Sequence, residues 1–516
     1  MAKRWEDEKH LEGISSRLLL VFPPEFMHEG RYICRFEPDG IAMLNGYLKQ
    51  NGYHLTDLVY SPISALISDE KISKKKSQDW VISPYNQDGM SFRHIVNAGL
   101  SLNLDSMTAV WLKNLLPLLT LPDTNIIGFS IGFPTQLYYS IILARIVKHL
   151  NPDIFIVAGG PLVTSCITFM TTLQELIPVC NGIIPGYGEE PLAQLMLCLD
   201  GQGDLKEVAN LYLPTLDGYQ RNAANWKPDK SHLLTVPDFG RKTLRREFDP
   251  IFPIRPSIGC YWGKCVFCCY PSLTSGAVMH QKYIILKPEE LVEHIKVLMM
   301  NGSGNRFELC SDALPPQYLK QFSELVITSG LKITWGAWAC VDKRFLENGV
   351  LKTMKQAGCE SVLLGVESAC QHTLQRMHKM QTTHDIKQVL SAFSSADVEV
   401  FLTLFVGFPG ETYEEAMVTI EFLRDLISGS STISKEDVRL YRFGLMDNTP
   451  VMAHHRAYGI SSVDTSDMYY SDDDFIFSYE VSEGLNFKEV WDLVSEWRVR
   501  LGIPSDDSPI PLRADI

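Results

Sequence analysis

A chain of 516 residues and 58.3 kDa exceeds one ordinary domain, so two or three domains of roughly 100–200 residues are expected. With 45% hydrophobic and 21% charged residues, it reads as a globular protein able to bury substantial cores. The net charge of −14 and a pI near 5.4 exclude the basic footprint that nucleic acid or an anionic membrane would require.

The first residues, "MAKRWEDEKHLEGISSRLLLVF", carry acidic side chains where a secretory signal needs its apolar run. No uninterrupted apolar stretch of about 18 residues follows, so a soluble cytoplasmic protein is expected. In that reducing compartment, clustered cysteines are metal ligands or catalytic groups more often than disulfides. The basic run "KISKKK", Lys71 to Lys76, reads as a solvated loop.

In chain order, "RLLLVF" (Arg17 to Phe22) is an apolar strand, ended by Pro23-Pro24 and followed by a helical pattern near Asp39 to Asn51. "NIIGFSI" (Asn125 to Ile131), a helix through "QLYYSIILARIVKHL", "DIFIVAGGP" (Asp153 to Pro161) and "GIIPGYGEEP" (Gly182 to Pro191) continue the alternation. Short apolar strands between amphipathic helices predict parallel β-α-β units in a doubly wound α/β sheet. Its ligand would lie beyond the carboxyl ends of the strands, where Gly159, Gly160, Gly186 and Gly188 fall. Residues 201–250 are polar and rich in turn formers and read as a linker. From Pro253, six strand-like segments follow: "PIRPSIG", "RFELCSD", "LKITWGAWACV", "SVLLGVES", "VEVFLTLFVGFPG" and "VRLYRFGL". Six units in about 200 residues suit a partial β/α barrel with its active site at the carboxyl ends of the strands. The expected organisation is a first domain over 1–200, the linker 201–250, the barrel over 251–455 and an acidic, helical extension over 456–516.

The densest chemistry is "SIGCYWGKCVFCCYPS", where four of the twelve cysteines fall within ten residues after the first barrel strand. Cys260, Cys265 and Cys268 are spaced C-x4-C-x2-C, with Cys269 adjoining. A structural zinc site normally draws four ligands from two separated pairs, and no second pair follows. Three cysteines on one loop instead suit a four-iron cluster with one iron open to a small molecule.

At this point the chain resembles the cobalamin-dependent radical S-adenosylmethionine (SAM) enzymes, over roughly Arg17 to Pro450. "GCYWGKCVFC" is similar to that family's cluster loop, "LLGVESACQHTLQRMHK" (Leu363 to Lys379) to its fourth-strand motif and "FVGFPGET" (Phe405 to Thr412) to its fifth. "NIIGFSIGF", "IVAGGP" and "PGYGEEP" resemble strand ends of its Rossmann-like cobalamin domain.

The resemblance implies a [4Fe-4S] cluster on Cys260, Cys265 and Cys268, with Cys269 the competing third ligand, and Phe267 beside the SAM adenine. It implies that Glu367 contacts the SAM ribose and that Gly407 and Gly410 approach the adenine. Ser130, Gly159, Gly160, Gly186, Gly188 and Glu189 would border cobalamin. A flavodoxin or ferredoxin would supply electrons, and the substrate would be a small molecule or peptide. Three departures stand out. One extra residue separates the first two cysteines, and "CSDALPP" replaces the Gly-Gly-Glu that often binds the SAM amino group, leaving Ser311 or Asp312 for that role. Asp-x-His-x-x-Gly is also missing, so cobalt would lack a protein imidazole, its lower face covered by the loop after Phe22. Arg439 and Arg442 point to opposite faces of the sixth strand, and one would pair with the SAM carboxylate. The third-strand aromatics read as core.

Three functions follow: a methyltransferase acting on an unactivated carbon or phosphorus, a radical rearrangement, cyclisation or oxidation without methyl transfer, and a sensor without activity. Product mass separates the first two.

Overall fold

The computed structural model describes residues 15–23, 38–54, 56–60, 89–102, 112, 124–240, 250–269, 283–429, 433–471 and 474–503. Lys71 to Lys76 and most of the loop after Phe22 lie outside the described residues.

The first sheet has seven strands, β1 (Arg17–Phe22), β2 (Thr56–Tyr60), β3 (Thr124–Ser130), β4 (Phe155–Gly159), β5 (Gly182–Ile184), β6 (Tyr212–Thr215) and β7 (Gly218–Arg221), in the order β2-β1-β3-β4-β5-β6-β7. The first five run parallel. Period-two alternation builds its two faces. Leu19, Val21, Ile127, Phe129 and Ile156 pack on the side of helices Phe92–Leu100 and Pro134–Leu150. Leu18, Leu20, Ile126, Val157 and Ile184 pack on the side of helices Asp39–Gln50 and Glu189–Leu199. Burial on both faces explains why these strands read as continuous apolar runs. The stretch read as a linker contributes to this fold: β6 and β7 form an antiparallel hairpin on the sheet's edge. Beyond them, Asp238 lies on helix Asp39–Gln50, accepting from Lys49 Nζ at 2.8 Å.

The second sheet is the partial barrel, with β8 (Phe252–Ile254), β11 (Arg306–Leu309), β12 (Thr334–Cys340), β13 (Cys359–Glu367), β14 (Glu399–Val406) and β15 (Val438–Arg442) all parallel, in the order β15-β14-β13-β12-β11-β8. The short strands β9 (Ser257–Ile258) and β10 (Ile284–Ile285) pair antiparallel beside β8. Phe307, Leu309, Trp335, Ala337, Val362, Leu364, Leu402 and Leu404 face the outer helices in one core. The alternate residues therefore turn into the barrel: Glu308 and Cys310, Trp338 and Cys340, Gly365 and Glu367, Thr403 and Phe405. Trp335 is core, as read from the sequence, with its indole N–H on Ala357 O at 3.0 Å.

The acidic region after residue 455 contributes more than a helix. Strands β16 (Ile460–Ser471) and β17 (Asp474–Val481) form an antiparallel hairpin, followed by helix Phe487–Leu501. Tyr470 N–H donates to Met90 O of the first domain at 2.8 Å and accepts from Gly89 N–H at 2.7 Å, and Phe477 N–H donates to Leu445 O of the barrel domain at 2.9 Å. The hairpin thus straps the two sheets together, its Phe475 packed 4.6 Å from Phe92. Among the described residues no helix is long and apolar enough to cross a membrane.

Candidate active site between two sheet edges

Gly259 and Gly263 adopt φ of +80° and +58°, left-handed values that let the cysteine loop double back after β9. The loop is then tied down at three points. Tyr261 donates its hydroxyl to Asp342 Oδ2 at 2.9 Å, Trp262 donates its indole N–H to His378 O at 2.8 Å, and Val266 N–H donates to Met377 O at 3.2 Å. These anchors hold Cys260, Cys265 and Cys268 at the carboxyl end of the barrel, each partly exposed. Cys269 is buried on the core side, within electrostatic range of Cys166 and Asp474, and burial pushes its thiol up. Tertiary packing therefore separates the adjacent cysteines that sequence left in competition. Among the described residues no three His, Cys, Asp or Glu side chains converge as a chelating group, so the three thiols share a loop without forming a closed coordination sphere. Phe267 meets Phe405 edge-on at 5.0 Å.

Two groups beside this loop were not singled out from sequence. Cys340, the last residue of β12, neighbours Cys260, and its proximity draws the Cys260 thiol down. Lys379 is buried behind the loop, donating to Gly365 O at 3.1 Å and Glu367 Oε1 at 3.2 Å. The adjacent Glu367 carboxylate holds its ammonium charged against the cost of burial. Glu367 ends β13 at φ +65° beside a register shift, a strained placement that aims its carboxyl along the mouth. Lys379 stands within the quoted fourth-strand motif and Cys340 within "TWGAWAC", but neither spacing relates them to the cysteine loop.

The edge of the first sheet faces this mouth. Arg255, just after β8, pairs with Asp39 of the first domain at 2.8 Å and lies 5.3 Å above the Tyr187 ring. On the barrel side of this seam, Asp312 Oδ2 is buried without a hydrogen-bond partner among the described residues. Burial, with the neighbouring Cys260 charge, pushes Asp312 up to about 7. On the other side, Glu189 is 4% exposed, its Oε2 likewise unpartnered and its carboxyl raised by burial. Ser311 differs from its neighbour because its hydroxyl is engaged with Ser257 Oγ at 2.8 Å.

Ser130, Gly159 and Gly160 fall at the ends of β3 and β4, with Gly186 and Gly188 after β5, so the expected strand ends are adjacent. Thr164 knits them together, donating to Gly160 O at 2.8 Å and accepting from Gly186 N–H at 2.8 Å. The space beside Gly160 is filled by protein, since a Cβ there would lie 2.6 Å from Ile131 O.

Other expected residues point elsewhere. A Cβ on Gly407 would strike Val490 of helix Phe487–Leu501, and one on Gly410 would strike Arg376, so both glycines make room for protein. Arg439 faces inward, but its guanidinium donates to Glu436 O at 3.0 Å and Val438 O at 3.1 Å, at the end of β15 away from the mouth. Arg442 lies on the outer face, 4.0 Å over the Trp491 ring. The expectation that one of them meets the SAM carboxylate is not met in this arrangement.

Residues 254–423 match the family model described as the radical SAM superfamily. An uncharacterized methyltransferase of Pyrococcus horikoshii is 25% identical over 350 residues, 65% of this chain and 72% of that protein. The structure is similar to that of the cobalamin-dependent SAM radical enzyme OxsB solved with aqua-cobalamin and SAM, with a TM-score of 0.64 and 15% identity over 95% of this chain. The chain spans 66% of that OxsB chain's length. It is also similar to the radical SAM methyltransferase TsrM from Kitasatospora setae with tryptophan and a SAM analogue bound, with a TM-score of 0.58 and 15% identity over 87% of this chain and 79% of that one. Residues 254–423 are thus a radical SAM domain, set in a chain whose two sheets have the fold of the cobalamin-dependent radical SAM enzymes.

Proposed function

We propose that this chain is a cobalamin-dependent radical SAM methyltransferase acting on an unactivated carbon or phosphorus of a small natural product or peptide. The observation that carries the proposal is the seam itself: a three-thiol loop and the buried Asp312 on the barrel side face the glycine-bordered strand ends and buried Glu189 of the first sheet, clasped by Arg255. Similarity to the methyltransferase from Pyrococcus horikoshii and to the methyltransferase TsrM supports methyl transfer.

The residues fit the implied groups by their chemistry. Three thiols on a glycine-turned loop suit iron–sulfur ligation by Cys260, Cys265 and Cys268. A buried carboxylate oxygen lacking a donor suits an ammonium, which assigns the SAM amino group to Asp312. Glu189, also lacking a donor, suits an amide N–H at the rim of cobalamin, beside Ser130, Gly159, Gly160, Gly186 and Gly188. When bound, the cluster and SAM supply a carbon-centred radical and cobalamin supplies the methyl group. The chain's own work is to orient and to exclude water. Phe267 and Phe405 wall the mouth, Glu367 is positioned by Lys379 for the ribose hydroxyls, and Arg255 keeps the first sheet over the opening. A flavodoxin or ferredoxin is the expected electron donor.

The test is anaerobic turnover with methyl-labelled SAM, cobalamin and candidate substrates. Methyl transfer predicts deoxyadenosine, S-adenosylhomocysteine and labelled product in comparable amounts. Unlabelled product with deoxyadenosine, and S-adenosylhomocysteine at background, would refute it and favour rearrangement, cyclisation or oxidation.

A further inference from the structure

The outer side of the cysteine loop carries a charge opposite to that of the molecule. Across the chain 61 Asp and Glu outnumber 47 Lys and Arg, yet the exposed charge at the tip of this loop is positive. Lys264, directly before Cys265, is exposed, and its ammonium lies 4.8 Å from the centre of the partly exposed Trp262 ring. The Trp262 indole N–H is held on His378 O at 2.8 Å, and His378 is itself exposed. Tyr261 lies 5.4 Å beneath the Arg344 guanidinium, and Lys343, next to Arg344, is exposed on the short 3-10 turn Lys343–Leu346. The carboxylates of these segments are already engaged. Asp342 is 2% exposed and accepts from Tyr261 at 2.9 Å and from Arg344 Nε at 3.0 Å. Asp385 accepts from Thr382 N–H at 2.8 Å, and Glu347, which follows the 3-10 turn, accepts from Gln317 Nε2.

Position and charge together select a partner. Arg255 clasps the first sheet over the mouth of the barrel at Asp39, so a protein that delivers electrons must reach the loop from its outer side. Docking there sets it against Trp262 and Lys264, two residues after Cys260 and one before Cys265. Opposite charge steers an acidic protein to this patch, while the chain's net charge of −14 repels it from other faces. Tryptophan and arginine are also residue types enriched where proteins meet.

We propose that Trp262, Lys264, Lys343 and Arg344 form the docking face for an acidic one-electron carrier protein, which reduces the cluster held by the loop from that side. One electron leaves the carrier and one enters the cluster, with no bond made or broken on either protein. The inference rests on the assignment of a cluster to Cys260, Cys265 and Cys268, and it gives the electron donor of the proposed function a surface.

The experiment compares wild type, Lys343→Glu and the double variant Lys264→Glu with Lys343→Glu after anaerobic reconstitution. Iron and sulfide are counted. The Kd is measured at low and at physiological salt for oxidised flavodoxin, for oxidised ferredoxin and for a redox-inert acidic protein of similar size and charge. Deoxyadenosine formation is followed with each reduced carrier and, separately, with dithionite, which needs no docking face. The double variant should keep its iron and its dithionite-driven rate. Its Kd for flavodoxin or ferredoxin should weaken roughly 5- to 30-fold at low salt, as two exposed pairs are lost and replaced by repulsion. The difference should shrink at physiological salt. The carrier that responds identifies the class of partner. An unchanged Kd for both carriers overturns the proposal, as does failure of the wild type to bind either. Equally tight binding of the redox-inert protein also overturns it, since the patch would then attract any acidic protein. If Lys264→Glu costs iron, Lys343→Glu decides alone: a Kd roughly 2- to 5-fold weaker supports the docking face and an unchanged one overturns it. A wild type that takes up no iron would instead refute the cluster assignment.

Discussion

Replacing Asp312 with asparagine preserves its volume and removes its charge. The buried Oδ2 lacks a protein donor among the described residues, whereas the neighbouring Ser311 hydroxyl is committed to Ser257. With the SAM ammonium on Asp312, the variant loses one charge-assisted hydrogen bond in a site shielded from water, a loss of about 1.5–3 kcal/mol. At 1.4 kcal/mol per decade, the Kd should weaken roughly 10- to 150-fold. Ser311→Ala should change it by less than about threefold, because that hydroxyl supports the strand and not the ligand. The pH dependence has a definite sign. Burial pushes Asp312 up to about 7, so below that pH the free protein carries a neutral carboxyl that must lose its proton to pair with an ammonium. Affinity should fall about tenfold for each pH unit below 7 and level off above it, where the carboxylate is already formed. The asparagine variant should show no such slope. Equilibrium dialysis with S-adenosylhomocysteine between about pH 5.5 and 7.5 on protein of known iron content reads both effects. Equal Kd values for wild type and Asp312→Asn, or a larger loss in Ser311→Ala, would refute the assignment.

The other predictions are simpler. Replacing Cys260, Cys265 and Cys268 together with alanine should abolish the brown absorbance of reconstituted protein and its deoxyadenosine production, while Cys269→Ala, at a buried position on the core side, should retain the cluster. Near-normal iron and sulfide in the triple variant would contradict this. Cob(II)alamin bound to the protein should lack nitrogen superhyperfine splitting in its paramagnetic resonance spectrum, and a clear one-nitrogen splitting would show an imidazole on cobalt. Glu411 is fully buried and accepts from Thr373 Oγ1 at 3.0 Å, and burial pushes its carboxyl up to about 7. A raised folded value means that the native state keeps a proton the unfolded chain releases, so this group's contribution falls as pH rises from about 4.5 to 7. The loss should be about 3 kcal/mol at 1.36 kcal/mol per pH unit. Urea midpoints should therefore lose that pH dependence in Glu411→Gln, and parallel profiles for the two proteins would exclude the effect.

Local pattern alone determined much of this protein. Alternation in "RLLLVF" and "NIIGFSI" decides which residues face each helical layer, because side chains on a strand alternate whatever lies beyond them. The spacing of Cys260, Cys265 and Cys268 and the adjacent glycines likewise lie within one loop, so the candidate metal chemistry was legible before any fold. Tertiary structure decided what depends on contacts between distant segments. Cys268 and Cys269 are neighbours in sequence, and only packing against the core buries the second. Ser311 and Asp312 were equivalent candidates until Ser257 engaged the hydroxyl and left the carboxylate. Arg439 reads as an inward cation, but alternation fixes only the face and not the end of the barrel that a long side chain reaches. The hairpin β16–β17 was hidden because one of its faces meets solvent, and its polar residues masked the strand period. Cys340 and Lys379 carry no local signal at all. They lie 80 and 119 residues beyond Cys260 in the sequence and become its surroundings only because parallel strands bring their carboxyl ends to one mouth.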